Sequence, residues 1–184
     1  MNKAIDISNV ILKTARLTLR PFQETDLDDF YAYAKVDGVG QWAGWLPHKS
    51  KEDTQVILNL FIKGKKTFAI VYEGRVVGSI GIERYNEKEL PEFKDQQGRE
   101  IGYVLAKDLW GNGLMSEAVK AVVNWLFVQE HLDFIVCGNF SDNHRSRRVW
   151  EKCGFKYYKN GSYMTKYGQE KATMISILIN DNKS

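Results

Sequence analysis

Cysteine, proline and histidine are all scarce in this chain. It has two cysteines and three prolines in 184 residues. Two cysteines make no disulfide framework, and neither Cys137 nor Cys153 sits in a metal-ligand spacing. Both lie in apolar contexts and read as buried thiols in a reducing compartment. The three histidines, His48, His131 and His144, form no pair at ligand spacing, so no metal is expected. So few prolines argue against a disordered or Pro-rich chain. No hydrophobic run approaches the ~20 residues of a membrane span. The opening MNKAIDISNV lacks the apolar core of a secretory leader, so the expectation is no membrane association and a cytoplasmic location. A large charge excess is missing as well. The formal charge of +3 is too mild to argue for nucleic acid, yet it does not repel an anionic ligand. The basic run His144-Arg145-Ser146-Arg147-Arg148 is a local cluster rather than a face, and no nucleic-acid partner is expected.

What is present is an ordinary globular composition, 43% hydrophobic and 27% charged. The length suits one α/β domain, expected over residues 1–184 without repeat or linker. Residues 16–22 alternate as R-L-T-L-R-P-F, a half-buried strand. Thr25 precedes acids that suit a first helical turn. Residues 39–48, V-G-Q-W-A-G-W-L-P-H, read as a loop, and residues 50–62 as a helix. Strands at 67–72 and 75–82 flank Glu73-Gly74, a hairpin turn. Residues 86–98 are a polar loop and 100–106 a strand. A helix at 113–130 has an apolar face of Leu114, Ala118, Ala121, Val122, Trp125 and Leu126. Then follow a strand at 134–140, a helix at 143–152 and two strands ending near Ile179. The expectation is a mixed, mostly antiparallel sheet of about seven strands with about four helices. Strand–helix–strand around the glycine loop implies one parallel pair with a right-handed crossover. Antiparallel hairpins before it weigh against a dinucleotide-binding fold.

Residues 110–115 read W-G-N-G-L-M between a strand and a helix. Two glycines leave the backbone bare where a helix start presents unpaired N–H groups, which is a socket for phosphate. Trp110, Gly111, Asn112, Gly113, Leu114 and Met115 would surround the anion, and Ser116 could add a hydroxyl. The same pair also serves a plain strand-to-helix turn. A dinucleotide fingerprint would need glycine where Ser116 stands, and a phosphate-binding Gly-Lys-Ser/Thr is absent.

A second segment, N-H-R-S-R-R-V-W-E-K-C-G-F at 143–155, has Asn143 as a natural N-cap and Gly154 as a natural stop. Val149, Trp150 and Cys153 form a buried stripe, while the arginines suit either a solvated face or an anion. Together with T-A-R-L-T-L-R-P-F and E-I-G-Y-V-L, the two motifs resemble the GNAT superfamily of acyl-CoA N-acyltransferases. The branch that acetylates ribosomal-protein N-termini is the most similar. The likeness runs from Thr14 to Ile179, and Asp108 departs from it where the family carries Gln or Arg.

The resemblance implies a GNAT domain with a splayed parallel pair, and acetyl-CoA as co-substrate without a metal. It implies pantetheine paired with the backbone of Tyr103, Val104 and Leu105, with Asn143 on the pantetheine arm and Arg147 on the cofactor. Trp150 stands where many members place an acidic tyrosine, which leaves Ser146 as donor to the departing thiolate. Glu100 is the candidate base and Glu83 its reserve. Gln41, Trp42, Trp45 and Glu83 are the expected acceptor-binding residues. The acceptor is expected to be a primary amine, either a peptide N-terminus or a small molecule, and the likeness allows a homodimer. A chain that binds the cofactor without turnover is the first alternative, and a nucleic-acid-binding domain using the basic run at 144–148 is the second, less favoured one.

Overall fold

A computed structural model describes residues 1–181; the last three residues of the expected domain lie outside the described residues. The strands are β1 (Leu12–Lys13), β2 (Leu17–Pro21), β3 (Thr67–Tyr72), β4 (Arg75–Glu83), β5 (Gly98–Leu105), β6 (Phe134–Phe140), β7 (Lys156–Met164) and β8 (Glu170–Ile179). The α-helices are α1 (Leu27–Ala34), α2 (Lys51–Gly64), α3 (Leu114–Val128) and α4 (His144–Lys152). Among the described residues, all eight strands form one sheet in the order β1-β2-β3-β4-β5-β6-β8-β7. Every neighbouring pair is antiparallel except β5 and β6. The count exceeds the expected seven because β1 is a two-residue edge piece, too short to carry a period.

Local chemistry explains most boundaries. Ser50 caps α2 by accepting from the Asp53 amide at 3.2 Å, and Lys65 ends that helix in the left-handed region. Glu73 and Gly74 both have positive φ, 48° and 79°, the conformation that a two-residue hairpin loop needs. Before α1 lies a 3₁₀ turn, Glu24–Asp26. Asp26 is buried there and accepts two 2.8 Å hydrogen bonds from the Arg20 guanidinium. The segment expected as a loop at 39–48 contains a 3₁₀ turn, Gly40–Ala43.

The alternation of β6 divides its side chains between two cores. Ile135 and Cys137 join the main core, with Leu114, Ala118, Val122 and Leu126 of α3. Phe134 and Val136 join a smaller cluster with Tyr85, Leu90 and Ile177. Cys137 is buried, but Cys153 at the end of α4 is only half-buried, contrary to its expected full burial. A strand residue in register with its neighbour shares its face. Glu100 pairs with Val136 and therefore faces the smaller cluster; Ile101 pairs with Cys137 and faces the main core.

Candidate active site

The parallel pair β5–β6 is closed over only part of its length. Pairing runs from Gly98↔Phe134 to Ile101↔Cys137 and then stops. Beyond that point β5 continues to Leu105 beside β4, and β6 continues to Phe140 beside β8. The β6-facing backbone groups of residues 102–105 therefore lack a strand partner. They offer hydrogen bonds to an extended ligand. A cleft of about 690 Å³ opens there, large enough for a small-molecule arm.

The glycine loop forms one end. Gly111 and Gly113 have φ of 85° and 77°, which favours glycine at both. A Cβ on Gly111 would meet nothing within 4 Å, so the backbone there is open to an approaching group. Gly113 is the N-cap of α3 without any side-chain cap, leaving the amides of Leu114, Met115 and Ser116 free of intrahelical partners. The loop is held from behind. The Trp110 indole donates to the Leu105 carbonyl at 2.9 Å, and Arg16 donates to the Asn112 carbonyl at 3.1 Å. Arg16 also pairs with Glu117 in the first turn of α3 at 2.7 Å.

On one wall, α4 begins at Asn143, whose side chain accepts from the Ser146 amide at 3.1 Å. That cap turns Ser146 inward, where it is buried against β5. Tyr103 Oη lies 2.9 Å from Ser146 Oγ and 3.1 Å from the Ser146 carbonyl oxygen. Burial raises the Tyr103 pKa well above the usual phenol value, and the neighbouring Cys137 thiol reinforces this. The Cys137 thiol is itself pushed up to about 12, mainly by burial, which keeps it protonated. Trp150, one turn after Ser146, is buried with its indole donating to Asn139 Oδ1 at 2.8 Å.

Glu100 stands on the opposite face of β5, half-buried and lining the same cleft. Desolvation raises its pKa to about 7, and the nearby charges of Glu83 and Glu89 push the same way. Glu83 is its direct cross-strand neighbour. Glu83 also pairs with Lys66, so it is less available than Glu100. The cleft carries charge of both signs. Arg145, Arg148 and Lys152 line it, Arg145 lying over the Trp110 ring beside the glycine loop, and Glu83, Glu89 and Glu100 line it close enough to one another to interact.

The cleft also gathers Tyr103, Val104, Leu105, Trp110, Gly111, Gly113, Leu114, Met115, Ser116, Asn143 and Trp42. Four expected site residues are not on its wall. Arg147 points away and pairs with Glu151 at 2.8 Å. Arg145 and Arg148 take the inward positions because a helix advances about 100° per residue. Arg145 lies over the rings of Trp110 and Trp42, at 4.2 and 5.4 Å from their centroids. Gln41 is occupied within its own turn, by Asp37 and the Gly38 amide. Trp45 packs over Gly40 and against His48. Asn112 is exposed and bonds back to the Leu109 carbonyl. Sequence reading missed Glu89 and Leu90, because a polar loop carries no sign of which cleft it will flank. It also missed the Tyr103 hydroxyl, whose partner lies 43 positions away. Among the described residues no cluster of His, Cys, Asp and Glu could hold a metal ion. Among them, too, no helix is long and apolar enough to cross a membrane.

Residues 16–156 match the family model of the acetyltransferase (GNAT) domain. The chain belongs to that family of acetyl-CoA-dependent N-acetyltransferases. It is 29% identical over 167 residues to YoaA, an uncharacterised N-acetyltransferase of Bacillus subtilis, covering 83% of this chain and 90% of that one. A GNAT acetyltransferase from Bacillus anthracis has the same fold with a TM-score of 0.78. The two are 22% identical, over 94% of this chain and 99% of the other. The ribosomal-protein-S5-alanine acetyltransferase of Vibrio fischeri aligns with a TM-score of 0.71 at 19% identity, covering 96% and 100%. At such identities the structures establish the fold.

Proposed function

We propose that the chain moves the acetyl group of acetyl-CoA to a primary amine by direct attack in a ternary complex. The observation that carries this reading is the cleft with charge of both signs. A bare helix start lies beside Arg145, and the Glu100 carboxyl, its pKa raised by burial, supports an amine entering on its side. The diphosphate would rest on the amides of residues 111–115, with Arg145 and Arg148 as its cationic neighbours. The pantetheine arm would pair with the free edge of residues 102–105. Asn143 would contact that arm while capping α4.

The acceptor arrives as an ammonium and must lose two protons. Glu100 takes the first, directly or through a water, and passes it to solvent. The amine nitrogen then attacks the thioester carbon, and the N–H of Val104 or Leu105 stabilises the carbonyl oxygen as it gains charge. The C–S bond breaks, Ser146 donates a hydrogen bond to the departing thiolate, and the second nitrogen proton ends on sulfur. Holding the two reactants in line supplies much of the acceleration.

Trp42 and Glu83 would border the acceptor. A peptide N-terminus is the favoured acceptor class, by analogy with the ribosomal-protein enzyme described above. The decisive experiment measures thiol release from acetyl-CoA against peptides, polyamines, amino acids and aminoglycosides. Acceptor-dependent release supports the reading. Tight cofactor binding without release from any acceptor identifies a silent acyl-CoA-binding module instead. Light scattering on the purified chain tests the homodimer that the family likeness allows.

A further inference from the structure

Three side chains meet on the main-core side of the splay. Tyr103 Oη lies 2.9 Å from Ser146 Oγ and 3.1 Å from the Ser146 carbonyl, and the Cys137 thiol donates to it at 3.9 Å. Among the described residues, the phenol is the only hydrogen-bond partner recorded for Ser146 Oγ. The Asn143 side chain is taken up by the Ser146 amide. The Ser146 carbonyl is already an acceptor within α4, so the phenol has a real choice between two oxygens.

That choice sets the direction of the serine proton. When Tyr103 donates to the carbonyl, its oxygen is left to accept from Ser146 Oγ, and a serine proton on that bond points away from the cleft. When Tyr103 donates to Ser146 Oγ, the serine proton is released into the cleft. Growing negative charge on a leaving sulfur favours the second arrangement. Only hydroxyl rotations are needed, and no bond to hydrogen breaks.

We propose that Tyr103 is a positioning residue that turns the Ser146 hydroxyl toward the departing thiolate. This rests on the Ser146 role given under Proposed function. The phenol remains a neutral donor through the reaction, because burial opposes its ionisation. It acts through Ser146 and does not touch the acceptor: Ile101, Tyr103 and Leu105 share one face of β5, while Glu100 lies on the other.

The test is a double-mutant cycle with Tyr103→Phe and Ser146→Ala, using acetyl-CoA and whichever amine the screen selects. Tyr103→Phe keeps the ring and removes one hydrogen bond. It should lower kcat about 3–10-fold. The KM for acetyl-CoA should stay within about twofold, since the affected bond gains strength only as charge develops. In the Ser146→Ala background the same substitution should cost nothing further. Equal losses in both backgrounds would show that Tyr103 acts independently of Ser146 and overturn this proposal alone. A loss confined to KM, or no loss, would also overturn it. Full turnover by Ser146→Ala would instead remove the serine from the mechanism and take the proposal with it. Thermal melts of all four proteins separate these outcomes from misfolding.

Discussion

Replacing Glu100 by Gln tests the acceptor end of the cleft in two independent ways. The Glu100 carboxyl is desolvated and faces the charges of Glu83 and Glu89, which raises its pKa from 4.5 to about 7. The folded chain therefore holds this proton more tightly than the unfolded chain does. The stability this contributes is complete below about pH 4.5 and is lost as pH rises through about 7. The gap between about 4.5 and about 7 corresponds to roughly 3 kcal/mol. Because one side of the group opens to solvent, about half of that, 1–2 kcal/mol, is the reasonable expectation. Gln cannot ionise. Glu100→Gln should accordingly melt about 2–8 °C higher than the wild type at pH 8 and at the same temperature near pH 4.5. Activity should move the opposite way. In the wild type about one-tenth of Glu100 is ionised at pH 6 and about nine-tenths at pH 8, so kcat/KM should climb about tenfold between them. The Gln variant should lose ~10²-fold or more at neutral pH, with partial recovery in alkali as the amine deprotonates itself. Calorimetric melts and thiol release across pH 5–9 provide both readouts. An unchanged melting temperature at pH 8 would refute the electrostatic reasoning. A flat, undiminished rate profile would remove Glu100 as the base.

Other substitutions probe the remaining parts. Ser146→Ala should lower kcat with acetyl-CoA affinity nearly kept, which single-turnover kinetics and calorimetry can separate. Arg145→Ala should weaken acetyl-CoA binding about tenfold, whereas Arg147→Ala, whose side chain is engaged by Glu151, should change it little; calorimetric titration compares them. Asp26→Asn breaks a buried bidentate pair with Arg20 and should cost about 3 kcal/mol, read as a melting temperature lower by about 6–12 °C.

Some of this architecture was legible residue by residue. The 134–140 strand is apolar enough to mark its own ends, and the structure has it as Phe134–Phe140. Glu73-Gly74 announced a hairpin because few pairs accept two positive φ angles in succession. Asn143 and Gly154 bracket α4 through capping chemistry that acts within a few residues. Other features were not legible. The arginines of α4 look equivalent in sequence, and only the helix's rotational setting on β6 turns Arg145 and Arg148 inward and Arg147 outward. Trp42 and Trp45 looked alike as well, yet one lines the cleft and the other packs over Gly40.

By itself the sequence determined what depends on near neighbours: the strands and helices, the bare glycine turn, the cap that starts α4, and the motifs that mark the family. The tertiary structure alone decided what depends on distant ones. It opened β5 from β6 after Ile101, set the Glu83 and Glu89 carboxylates near Glu100, and brought the Tyr103 phenol to Ser146. The reason is physical: backbone conformation is chosen by local sterics and hydrogen bonds, whereas a pKa or a proton's direction is set by whatever the fold places a few ångströms away.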